Sequence, residues 1–263
     1  LYDDHGEPMP HKCKLIRKHL HNMFCNGETD VYLWVMAWFA HKVQKPNEKI
    51  KTAINITGDE GSGKGLIFKD VMGNIISGSH FVHTGKIEQL IGRFASMDNA
   101  LMIFADEAIF TADKAQTDAM KTIISEETLT VERKYQDQRM TRSFGDLVIS
   151  SNQPLIGGIS FNDRRNLVVK SKSMAQWTAG ERRKYFDPIF SEIYDNDMEG
   201  LRAFMGVLLK WDLAEYNLRF PPESEARGEQ KLMAMDNHTR WWFTAISDEN
   251  FGPHFGLRGD EVL

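Results

Sequence analysis

A chain of 263 residues, 41% hydrophobic and 26% charged, can bury a full core without covalent staples, as one large domain or as a core with a smaller helical appendage. Two cysteines cannot build a disulfide framework, which favours a reducing compartment, and no apolar run reaches bilayer-spanning length. The net charge of −5 argues against a protein coated in nucleic acid but leaves room for a local basic channel.

Residues 1–10 are acidic and carry Gly6, Pro8 and Pro10, the composition of a linker. Over residues 11–25, Leu15, Leu20, Met23 and Phe24 recur near the helical period until Asn26-Gly27 breaks it. Thr29 or Asp30 offers an N-cap for a second helix, whose Trp34, Trp38 and Phe39 stripe has the spacing of a core face. Residues 1–50 thus read as a helical N-terminal collar with a short linker. Residues 53–57 predict a strand running into Gly58, and a helix opens near Gly63. Further strands are expected at 80–83, 101–105, 147–150 and 166–169, with helices at 87–94 and 113–124. The continuous apolar run 101–105 suits a strand covered on both faces. A strand beginning at 129–131 leads into a charged hairpin that reaches Arg142. The core so defined spans 51–172. Two helices, 181–194 and 198–211, fill a C-terminal helical segment, 173–220. Pro221-Pro222 and the acidic stretch after them read as a linker, so that 221–263 holds a linker and the start of a following region.

Strands alternating with helices predict an α/β fold with a central, mostly parallel sheet covered by helices. Ligands of such sheets sit beyond the carboxyl ends of the strands. Gly58, Asp106 and Ser151-Asn152 each follow a predicted strand and so fall on one edge.

Gly58-Asp59-Glu60-Gly61-Ser62-Gly63-Lys64 joins a strand to a helix. Glycines in such a loop let backbone N–H groups converge on phosphate oxygens, and the helix N-terminus adds positive potential. Lys64 then reaches the β- and γ-phosphates of a nucleotide. The pattern ordinarily ends in Ser or Thr, whose hydroxyl ligates magnesium; here the residue is Gly65, which leaves the metal to waters and a distal carboxylate. Asp106 is the expected holder of the magnesium shell through water, and Glu107 the general base on the attacking water. Asn152 suits a bridge between the γ-phosphate and that water. Taken singly, these features also read as a Gly-rich turn, a helix cap and an ordinary Asn-Gln-Pro turn; their order along the chain favours the site. His11, Cys13, His21 and Cys25 match no common zinc spacing.

The ordered set comprises the phosphate loop, the Asp-Glu strand, the basic hairpin, a strand ending in Ser-Ser-Asn, and Asn162-Asp163-Arg164-Arg165. It resembles the superfamily III helicases, a branch of the AAA+ P-loop ATPases, and within them the helicase portion of phage and viral primase-polymerase and primase-helicase proteins. Gly92-Arg93-Phe94, Lys134 and Ser151-Asn152-Gln153 carry the same likeness, which covers residues 11–172. The resemblance implies a P-loop NTPase of AAA+ type that uses ATP and magnesium. It further implies a ring, commonly a hexamer, with ATP between subunits and Arg164 or Arg165 acting in trans on the neighbour's γ-phosphate. Arg133, Lys134, Tyr135 and Arg139 of the hairpin would then grip single-stranded DNA in the pore. The start at Leu1 rather than Met suits an excised domain of a longer polypeptide, and the resemblance implies a covalently linked primase or polymerase domain outside this chain, a location in the host cytoplasm and no membrane partner. A protein-remodelling AAA+ ATPase and a nucleotide-binding scaffold with a degenerate site are the competing readings.

Overall fold

The structure, a computed structural model, describes residues 9–85, 99–106, 114–131, 139–152 and 164–247. Its strands are β1 (Ala53–Thr57), β2 (Phe81–Thr84), β3 (Met102–Asp106), β4 (Thr128–Val131), β5 (Arg139–Arg142), β6 (Asp146–Ser151) and β7 (Asn166–Lys170). Five of them form one parallel sheet in the order β2-β3-β6-β1-β7, while β4 and β5 pair antiparallel as a separate hairpin. The crossovers follow from chemistry: apolar strands without polar alternation must be covered on both faces.

Alternate residues of the strands supply two cores. Ile54, Ile56, Phe104, Val148, Leu167 and Val169 face one side. They pack with helix α1 (Lys14–His19), helix α2 (Thr29–Gln44) and a π-helical segment, Leu66–Met72, that runs into α3 (Gly73–Ile76). Trp38, Phe39 and Phe68 are fully buried there, so the aromatic stripe of the sequence is core. Ala53, Ile103, Ala105, Leu147 and Ile149 face the other side and pack on Met120, Ile123 and Ile124 of α4 (Lys114–Ser125).

The polar anchors are long-range. Lys42 of α2 and Asp146 at the start of β6 form an ion pair of 2.6 Å with both side chains fully buried. Lys42 also donates to the Phe144 carbonyl at 2.8 Å, and Asp146 accepts from the Ile50 and Lys51 N–H groups. Helix α5 (Ala179–Leu209) opens on a capping box between Thr178 and Glu181 and is interrupted by non-helical backbone at Asp195, Asn196, Asp197 and Met198, close to the division into two helices expected from sequence. Its Glu192 accepts the Leu15 and Ile16 N–H groups at 2.9 and 2.8 Å, capping α1 from 177 and 176 residues away.

Three expectations are corrected. The second helix starts after Glu28, with no side-chain cap from Thr29 or Asp30. The helix after the phosphate loop is wound as a π-helix over Leu66–Met72. The acidic stretch after Pro222 is not a bare linker: Ser224 caps α6 (Glu225–Ala234) and donates to the Val168 carbonyl, and Glu229 pairs with Lys170 at 2.6 Å. A last helix, α7 (Asn237–Ser247), leaves Trp241 and Trp242 exposed. The helix expected at 87–94 lies outside the described residues. Among the described residues no helix is long and apolar enough to cross a membrane.

Candidate functional site

Strand register brings the site together. Thr57, the last residue of β1, pairs with Ser151, and Ser150 pairs with Asp106 at the end of β3. The loop that starts at Gly58, the residue Asn152 and Asp106 therefore lie at one level of the sheet's carboxyl edge. Glu107 itself lies outside the described residues.

The Gly58–Lys64 loop is pressed against the rest of the fold. Gly58 has φ +149°, and a Cβ there would stand 1.9 Å from the Ser171 hydroxyl. Gly63 has φ +84°, and a Cβ would stand 2.5 Å from the His19 ring and 3.0 Å from Phe186. Both positions require glycine on conformational and steric grounds. The loop carbonyls are held from outside: Arg182 donates to Gly61 at 3.2 Å, and His19 Nε2 lies 3.3 Å from the Gly63 oxygen. His19 Nδ1 lies 3.1 Å from the Tyr185 hydroxyl, so the tautomer with Nε2–H satisfies both contacts. Burial lowers the His19 pKa to about 4, which keeps the ring neutral. Ser62 is buried and accepts from Ser171 at 2.9 Å.

Lys64 is almost fully buried. Its ammonium donates to the Gly58 carbonyl, to the Asp59 carbonyl at 3.1 Å and to Asn152 Oδ1 at 2.6 Å. The lysine of the loop and the amide at the end of β6, 88 residues apart, are thus in direct contact. Asp106 accepts Lys69 Nζ at 2.5 Å and lies 3.6 Å from His83 Nε2.

These donors do not fit direct coordination of magnesium. Position 65 carries no hydroxyl, and the Asp106 carboxylate is engaged by an ammonium. Magnesium keeps several waters when bound through few carboxylates, so an ion here would rest mainly on water and phosphate oxygens.

Arg164 and Arg165 stand elsewhere. They precede Asn166, which pairs with Ala53 at the start of β1. The pair is therefore at the amino edge of the sheet, a strand's length of about 16 Å from the loop at 3.3 Å per residue. Arg164 lies over the Phe220 ring at 5.8 Å, and the Arg165 carbonyl accepts the Ala53 N–H at 2.9 Å. Within one chain the structure does not bring these arginines to Lys64. In the basic hairpin, Arg139 opens β5 opposite Val131. Arg133, Lys134 and Tyr135 lie outside the described residues. Sequence reasoning missed His19, Ser171, Arg182 and Lys69, none of which belongs to the local loop pattern.

Residues 56–165 match the model of a family of unknown function, DUF5906. No curated protein matches. Among solved structures, an apo structure of the NrS-1 C-terminal region is similar at TM-score 0.70 with 20% sequence identity, over 88% of this chain and 54% of that one. An A-form apo structure of the same region aligns at TM-score 0.69 with 21% identity, over 88% and 53%. A further A-form structure gives 0.67 and 20%, over 88% and 52%. The chain thus spans about half the length of these structures, and at such identity the likeness establishes the fold, an α/β domain with a parallel five-stranded sheet flanked by helices.

Proposed function

We propose that this chain is an ATP-hydrolysing motor domain of the AAA+ P-loop type, a superfamily III helicase of phage or viral kind that moves along single-stranded DNA as a ring. The observation that carries this reading is the contact of Lys64 with Asn152 at the carboxyl edge of a parallel sheet, beside a loop in which Gly58 and Gly63 admit no side chain. Gly58, Gly61, Ser62, Gly63, Lys64 and Gly65 bind the phosphates through N–H groups and one ammonium. Asn152 orients the γ-phosphate and the attacking water, and Glu107 takes the proton from that water. Arg164 and Arg165 sit at the opposite sheet edge, a location that suits a neighbour's nucleotide rather than their own. The hairpin residues Arg133, Lys134, Tyr135 and Arg139 contact the strand. A linked primase or polymerase domain completes the replication assembly.

The test is ATP turnover with and without single-stranded DNA, run beside a mass measurement. Turnover stimulated by single-stranded DNA in an assembled ring supports the reading; turnover indifferent to DNA removes the helicase. Lys64→Ala and Arg164→Ala or Arg165→Ala variants, each inactive alone, should recover activity when mixed in co-assembled rings. Recovery is impossible if every catalytic group acts within its own chain.

A further inference from the structure

The Lys69 ammonium is held in a defined position. It lies 2.5 Å from Asp106 Oδ2 and 5.8 Å from the centroid of the Phe104 ring, which also stacks with Phe68 at 5.0 Å and with His83 at 5.5 Å. Among the described residues its ion-pair partner is Asp106, whose carboxylate also lies 3.6 Å from His83 Nε2. The same side chain lies over Gly65: a Cβ built there would stand 3.6 Å from Lys69 Cδ and 3.8 Å from Nζ. Position 65 is where a phosphate loop of this pattern ordinarily carries the hydroxyl that ligates magnesium. A hydroxyl on that Cβ could point directly at the ammonium. The missing hydroxyl and the Lys69 ammonium thus fall in one corner, between the loop and the end of β3.

We propose that Lys69 is a built-in cation of the nucleotide site. It neutralises Asp106 and meets the phosphate oxygens from the corner next to Gly65, so that ATP binds without the usual requirement for a divalent metal. This rests on the nucleotide reading above and adds to it which cation serves the phosphates. Lysine suits the role because its ammonium is a point charge on a flexible stem with three donors. One donor stays on Asp106 while others turn to phosphate.

The experiment is calorimetric titration of the protein with ATP, in magnesium and in excess EDTA. The wild type should bind in EDTA within about threefold of its affinity in magnesium. Lys69→Met should lose about tenfold or more in EDTA, the worth of one charge-assisted hydrogen bond. Lys69→Arg should recover most of that loss, and both variants should keep the wild-type melting profile, since the side chain is 41% exposed. Gly65→Ser combined with Lys69→Met should bind ATP in magnesium and not in EDTA. A wild type whose affinity falls tenfold or more on chelation overturns the inference and leaves the nucleotide reading standing, as does a Lys69→Met variant that binds normally in EDTA. A wild type that binds no ATP in either buffer, like Lys64→Ala, overturns both.

Discussion

Protonation of His19 should unlock the Gly58–Lys64 loop, and its effect on stability can be sized. The imidazole is fully buried, touches the Gly63 carbonyl and Tyr185, and has its pKa lowered by burial from 6.5 to about 4. Tyr185 is pushed up to about 12 by burial and stays neutral throughout the relevant range. Below pH 6.5 the unfolded chain takes a proton that the folded chain refuses. Stability therefore falls as pH drops from 6.5 towards 4 and levels off below. The full difference is on the order of 3 kcal/mol at 1.36 kcal/mol per unit. About 2 kcal/mol of it should be lost by pH 5. Carboxylates also titrate in this range, so the measurement is a comparison with His19→Gln, whose amide can still donate to the Gly63 carbonyl. Guanidinium denaturation of both proteins at pH 7 and pH 5 should show the wild type losing about 2 kcal/mol more than the variant. Equal losses in the two proteins would refute the assignment of a neutral, buried imidazole under the loop.

Lys42→Met leaves Asp146 charged and buried without its cation, and should cost about 3–5 kcal/mol in denaturant unfolding. Gly58→Ala forces a Cβ onto the Ser171 hydroxyl and should lower the melting temperature along with ATP affinity, whereas Gly27→Ala, with open space around its Cβ, should leave ATP affinity alone. Glu107→Gln should bind ATP like the wild type, by calorimetry, and turn it over at a small fraction of the rate, because only the base is removed. Loss of binding in that variant would mean that the roles of the acidic pair are misassigned.

The strands were legible because they are apolar runs bounded by polar or turn residues, and β1, β3, β6 and β7 need no partner information to be recognised. The phosphate loop was legible for a related reason: its glycines and lysine are contiguous. Thr178-Ala179-Gly180-Glu181 carries a readable capping-box spacing, which would have started α5 two residues earlier than the apolar pattern alone. The π-winding over Leu66–Met72 left no such trace, since its buried residues satisfy either helical period equally well over so few turns. His19, Ser171 and Arg182 reach the loop from 44, 109 and 121 residues away. Contacts of that separation are set by packing, and one sequence carries no periodicity that announces them. Lys69 was hidden differently: it lies within the helix already predicted, on the residue count of an ordinary exposed lysine, and only the position of Asp106 gives it meaning.

The cap on α1 has a consequence for the order in which this chain acquires its shape. The helical run from Pro10 to Phe24, of which α1 is the central part, is only marginally stable in water by itself, because nucleation is costly and so short a run hardly repays it. The carboxylate that takes up the Leu15 and Ile16 N–H groups belongs to Glu192. During synthesis that carboxylate leaves the ribosome about 9–35 s after Ile16, at 5–20 residues per second. Until then the segment carrying His19 has no fixed start, and the loop carbonyl that His19 meets has no floor. The Gly58–Lys64 loop is thus a late-maturing part of the fold, completed from a helix encoded well downstream of it.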